Sequence, residues 1–122
     1  MKIFKLILVV FLYVMQGMLQ AAFAAAIQEG EASYYDDSLN GSETASGGVY
    51  DKNALTAAHR SLPFGKKVRV TNIETGQSVE VVINDRGPYA KGRIIDLSSA
   101  AAKQLGLIDA GHAKVRLEVI AP

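Results

Sequence analysis

The sequence predicts a small, closed or nearly closed β-barrel with one short helix. Three observations carry that reading: short runs that alternate apolar and polar, turn signals spaced regularly between them, and one stretch of helix formers between a serine and a glycine. Glu31 to Tyr35 reads as the first strand, with Ile27 to Glu29 leading into it. Asp36 to Gly48 is polar and glycine-rich, holding Asn40-Gly41 and Gly47-Gly48, and reads as a long loop. Loops of that length in small domains usually carry function. Leu55 to His59 is a short apolar strand and Pro63-Phe64-Gly65 a turn. Lys67 to Asn72 alternates with period two, as a half-buried strand should. Glu74-Thr75-Gly76-Gln77 is a hairpin turn, Ser78 to Asn84 the returning strand, and Arg93 to Asp96 another short strand. Ser98 to Gly106 reads as a helix capped by Ser98 and stopped by Gly106. Ala113 to Ile120, with Val115, Leu117 and Val119 inward, closes the domain.

The N-terminus reads as an address. Met1-Lys2-Ile3-Phe4-Lys5 is basic, Leu6 to Met15 is almost wholly apolar, and Ala22-Phe23-Ala24 and Ala24-Ala25-Ala26 offer small-x-small cleavage sites. That is the layout of a secretory signal peptide over 1–26, cut after Ala24 or Ala26. The apolar run is short for a membrane span, and Gln16 and Gln20 break the apolar character beyond Met15. The remainder, 27–122, is expected to be one exported barrel domain, in the periplasm or outside the cell. The 122 residues include no cysteine, so no lipid anchor and no disulfide staple is expected. Removing Lys2 and Lys5 from the 13 Lys+Arg brings the basic count just below the 12 Asp+Glu. Near-neutrality argues against nucleic acid or an anionic membrane as partner. A soluble monomer is expected.

Chemistry concentrates in Ile83-Asn84-Asp85-Arg86-Gly87-Pro88-Tyr89. A strand ends in Asp-Arg and is followed at once by Gly-Pro, which restricts the backbone and holds both charged groups at the mouth of a sheet. Asp85 is the candidate general acid–base, against the plain alternative of a turn-closing aspartate. Arg86 beside it would favour the ionised carboxyl, unless it points away or holds a substrate carboxylate. His59, after a short apolar strand, could orient Asp85, carry a proton or hydrogen-bond a substrate; a lone histidine is more often structural. Asp96 is either a second site carboxylate or an acid suited to the start of the following helix. Tyr89, close to Asp85 in sequence, is the aromatic candidate for stacking on a substrate. His112 reads as a surface turn residue. The histidines and carboxylates lack metal-binding spacing, so neither metal nor cofactor is expected.

Six separated motifs also fall in the order of a known family. They are Gly30-Glu31-Ala32-Ser33-Tyr34-Tyr35, Thr44-Ala45-Ser46-Gly47, Leu55 to Gly65 with its central Thr56-Ala57-Ala58-His59, Val70-Thr71-Asn72, Asn84 to Pro88, and Ile95-Asp96-Leu97-Ser98. Together they resemble the rare lipoprotein A family of bacterial septal lytic transglycosylases, from Gly30 to Val119. The resemblance implies a six-stranded double-psi β-barrel and cleavage of MurNAc–GlcNAc bonds in peptidoglycan glycan strands freed of stem peptides, leaving 1,6-anhydro ends. It places the family's functional His and Asp on His59 and Asp85, sets Asp96 in the D-L-S context of related barrels, and adds Thr44, Ser46 and Arg86 to Tyr89 as substrate-binding candidates. The family often has an acid just after the T-A-[NS]-G motif, where this chain has Gly48; Glu43 is the nearest substitute. Two other activities stay open: an expansin-like module that binds glycan without cutting, and a glycoside hydrolase using Asp85 and Asp96.

Overall fold

The computed structural model describes residues 27–120. Residues 1–26, the segment read as a signal peptide, lie outside them. Six strands occur in chain order: β1 (Ile27–Tyr34), β2 (Thr56–Ala58), β3 (Lys67–Asn72), β4 (Ser78–Asp85), β5 (Arg93–Leu97) and β6 (Ala113–Val119). One α-helix, α1 (Ser99–Gln104), separates β5 from β6, and a short 3₁₀ turn (Asp37–Leu39) follows β1. The strands close into a barrel in the order β1-β5-β2-β4-β3-β6. β1 runs parallel to β5 and β2 parallel to β4; β6 pairs antiparallel with β1 and closes the ring. The architecture is the expected six-stranded double-psi β-barrel.

Alternation does the work of filling it. Val68 and Val70 of β3 stand opposite Val81 and Val79 of β4, and Val70 also faces Leu117 of β6. All five are buried, as are Ile83, Ile95 and Leu97. Burying each such side chain contributes about 1.5–3 kcal/mol before chain entropy is counted. The helix joins the same core through Ala101, Ala102, Leu105 and Leu107.

Sequence placed most elements correctly and one boundary wrongly. β1 begins at Ile27, where a leader was expected, because Ile27 to Ala32 pairs residue by residue with Glu118 to Ala113 of β6. Gly30 sits in that stretch, and a Cβ there would meet Ile94 Cγ2 at 2.7 Å, so the parallel β1–β5 approach requires glycine. The helix runs between the expected limits, with Ser98 as its cap and Gly106 as its stop. Ser98 caps it through Ala101 N–H, and Gly106, at φ +73°, ends it in a Schellman turn: Gly106 N–H donates to Lys103 O and Leu107 N–H to Ala102 O.

The long loop is folded rather than slack. Asp36 caps the 3₁₀ turn, Glu43 and Val49 form an isolated bridge, and Gly41 and Tyr50 are tied by a backbone hydrogen bond. Buried Tyr50 anchors it: its hydroxyl accepts from Ser99 N–H at the start of α1.

Candidate active site

The site is built on strand register. Ala58 of β2 pairs with Asp85 on one side and with Asp96 on the other, and Asp96 pairs with Ser33 of β1. Paired residues point to the same face of a sheet. Ser33, Asp96 and Ala58 therefore form a row on the face opposite core residues Ala32, Ile95 and Ala57, and a register shift between Ala57 and Ala58 brings Asp85 of β4, two residues beyond core Ile83, level with them. Two strand spacings put the Asp85 and Asp96 backbones about 10 Å apart. Ala58 is the residue between them in that row.

The two carboxyls have unlike surroundings. Asp85 accepts from the Tyr35 hydroxyl at Oδ2, and at Oδ1 from Ala45 N–H at 2.8 Å and from its own neighbour Arg86 N–H at 2.9 Å. The Thr44-Ala45-Ser46-Gly47 loop is thus docked on Asp85 by its backbone, and Ser46 N–H reaches Asn84 O at 3.3 Å. Asp96 has one side-chain partner, the Ser33 hydroxyl at 3.2 Å. Burial pushes the Asp96 carboxyl up from the usual aspartate value; Ser33 and Arg93 pull against this, and the nearby Asp85 adds to it. Burial and the Asp85 carboxylate push the Tyr35 phenol well up, so it remains a proton donor.

Several expected site residues are placed differently from the simplest reading. Arg86 turns away from the Asp85 carboxylate: its Nη1 donates to His59 O (3.3 Å) and Leu62 O (2.8 Å), and its guanidinium lies 4.0 Å from the Phe64 ring centre. It is spoken for within the protein, which leaves it poorly suited to grip a substrate. His59 is 6% exposed and hydrogen-bonds to groups other than the Asp85 carboxylate. Its Nδ1 accepts from Ser61 and Leu62 N–H, both at 3.1 Å, so Nε2 carries the proton and donates to Gln28 Oε1 at 3.0 Å. The ring borders a cavity of about 240 Å³ whose walls include Ile27, Leu62, Leu117 and Val119. Burial, then Arg86 and Arg60, push its pKa down and keep it neutral. Its link to Asp85 is through the main chain, His59 N–H to Asp85 O at 3.1 Å.

Thr44 is buried, with its hydroxyl 2.9 Å from that of Ser46. A side chain at position 48 would meet these two hydroxyls at ordinary contact distance, 3.7 and 3.9 Å from its Cβ, so glycine there is not demanded by space. Tyr89 is 76% exposed, and Arg60 holds the carbonyls on both sides of it, Pro88 O and Ala90 O. His112 lies at the surface, 3.6 Å from Glu31. Among the described residues no group of three or more His, Asp or Glu is placed to hold a metal ion.

Tyr35, which the sequence marks only as the end of the first strand, joins the site through Asp85. One signal was present: Tyr34 and Tyr35 are adjacent at a strand end, so they face opposite ways and one must leave the core. Tyr34 packs on the core, while Tyr35 stacks on Tyr50 with ring centres 4.5 Å apart.

Fold and site define a small double-psi barrel with a carboxylate-bearing face. A family model described as lytic transglycolase matches residues 27–117, nearly all of the barrel, and the chain belongs to that family. It is 53% identical over 105 residues to the probable endolytic peptidoglycan transglycosylase RlpA of Treponema pallidum, covering 86% of this chain and 33% of that relative. The chain thus spans about a third of that relative's length. Among solved structures, the Streptomyces papain inhibitor is similar with a TM-score of 0.63 at 24% identity, covering 78% of this chain and 94% of that one. A Clavibacter michiganensis expansin solved in complex with cellohexaose is similar with a TM-score of 0.60 at 21% identity, covering 78% and 50% respectively. These two likenesses concern the fold alone.

Proposed function

We propose that this chain is a lytic transglycosylase that cleaves MurNAc–GlcNAc bonds in peptidoglycan glycan strands, with Asp85 and Asp96 as its acid–base pair. The placement of both carboxyls opposite Ala58, in unlike surroundings, carries this reading. Pairs of carboxyls whose environments differ divide acid and base roles between them. Asp96, whose burial favours the neutral form, gives its proton to the departing GlcNAc oxygen as the bond to C1 of MurNAc breaks. Asp85, held by Tyr35, Ala45 and Arg86, takes the proton from the C6 hydroxyl of MurNAc. The C6 oxygen then closes on C1 as a 1,6-anhydro ring, and no water is consumed. Tyr89 offers an exposed ring for a sugar face next to this centre in sequence.

The name of the Treponema pallidum relative supports the activity, and the sugar-bound expansin of similar fold supports a glycan groove on this barrel. We also place the protein outside the cytoplasm, through the signal-like segment 1–26. The test is Asp85→Asn, which keeps size and most hydrogen bonds but removes the titrating group. The variant should fold as wild type and lose about 10²-fold or more of its activity on purified glycan strands. A folded, fully active variant would contradict the assignment of Asp85.

A further inference from the structure

The structure ties His59 and Arg86 into one device beside Asp85. The His59 ring accepts the N–H groups of Ser61 and Leu62 and so closes a tight turn over residues 59–62. Arg86 reaches into that turn and donates to the carbonyls of His59 and Leu62, while Phe64 covers its guanidinium face. The main chain adds His59 N–H to Asp85 O and Gly65 N–H to Ile83 O. Arg60 of the same turn grips Pro88 O and Ala90 O on the far side. The segment from His59 to Gly65 therefore holds the segment from Ile83 to Ala90 at both ends.

We propose that His59 is a positioning residue for Asp85: its ring holds the 59–62 turn in the shape that Arg86 grips, and this grip fixes the backbone from which the carboxylate projects. The inference rests on the reading of Asp85 as an acid–base group. Both ring nitrogens are committed, Nδ1 as a double acceptor and Nε2 as a donor to Gln28, so His59 moves no proton during turnover. What the turn needs at position 59 is an acceptor for two N–H groups. An asparagine can supply it, since its side-chain oxygen accepts from backbone N–H groups two and three residues on.

The experiment compares His59→Ala and His59→Asn on soluble glycan strands, with thermal melts to verify folding. His59→Ala should lower kcat about 10-fold or more with KM little changed, and His59→Asn should restore kcat to within about threefold of wild type with the pH–rate profile intact. A folded His59→Asn as impaired as His59→Ala, or lacking one limb of the profile, would overturn the proposal in favour of a proton carrier. Should the alanine variant not fold, Arg86→Gln decides: lost kcat at unchanged KM supports the grip, and wild-type kcat in a folded protein overturns it. If wild type itself cuts no strand, the reading of the function fails separately. The Asp85 carboxyl carbon-13 shift at fixed pH then decides: displaced by His59→Ala and restored by His59→Asn, it supports the proposal, and unmoved by both, it refutes it.

Discussion

At the scale of single residues, the chemistry turns on how differently two aspartates are housed. Asp96 is half-buried beside Ser33, and its neutral form is favoured in the folded protein. The folded state thus holds that proton more tightly than the unfolded chain, whose carboxyl titrates near 3.8. The resulting stability is complete below that value and is lost as pH rises through the higher folded value. Asp96→Asn keeps an oxygen for the Ser33 hydroxyl and never ionises. Its Tm should exceed that of wild type by on the order of a few degrees at pH 7, and the gain should vanish near pH 3. Melts that show the same gain at both pH values would remove burial of a charge as the cause. Asp85 was legible from its Asp-Arg-Gly-Pro context, but Asp96 was not separable from a helix-start acid. The role proposed for it rests on the register that sets it opposite Ala58 and Ser33. His59 stood out in the sequence with three roles left open, because ring direction is a tertiary property.

At the scale of elements, the strands that announced themselves were those with local partners. β3 and β4 form a hairpin with clean alternation, and β6 repeats the pattern. The N-terminal half of β1 was missed since Ile27 to Glu29 is exposed and owes its geometry to β6, more than eighty residues away in sequence. The helix shows how much rests on one cap. Ser98 is fully buried; its hydroxyl donates to Ala54 O at 2.6 Å and accepts from Ala101 N–H at 3.3 Å. Ser98→Ala strips the cap and leaves the half-buried Ala54 carbonyl without that partner, at a cost of about 1–3 kcal/mol. In a domain of this size each kcal/mol lowers Tm by roughly 4–8 °C. A melt within a degree of wild type would mean that water or a neighbour replaces the hydroxyl.

At the scale of the whole molecule, the barrel's closure supplies what the missing cysteines cannot. Closing β6 onto β1 leaves no free sheet edge and puts the alternating aliphatics in one core. Barrel class followed from strand count and turn spacing, whereas the strand order, with its two parallel pairings, depends on long-range contacts that no local pattern encodes. That order is what brings the ends of β4 and β5 to either side of β2, and so it makes the site. Export is checked by intact mass: protein recovered outside the cytoplasm should lack residues up to Ala24 or Ala26, and a full-length chain found only in membranes would contradict it. The most direct test of the central claim is product analysis. Purified peptidoglycan glycan strands digested with the protein and read by mass spectrometry should give fragments ending in 1,6-anhydroMurNAc, and Asp85→Asn should give almost none. Fragments with ordinary reducing ends would make it a hydrolase, and intact strands that bind without being cut would make it a binding module; either would contradict the account.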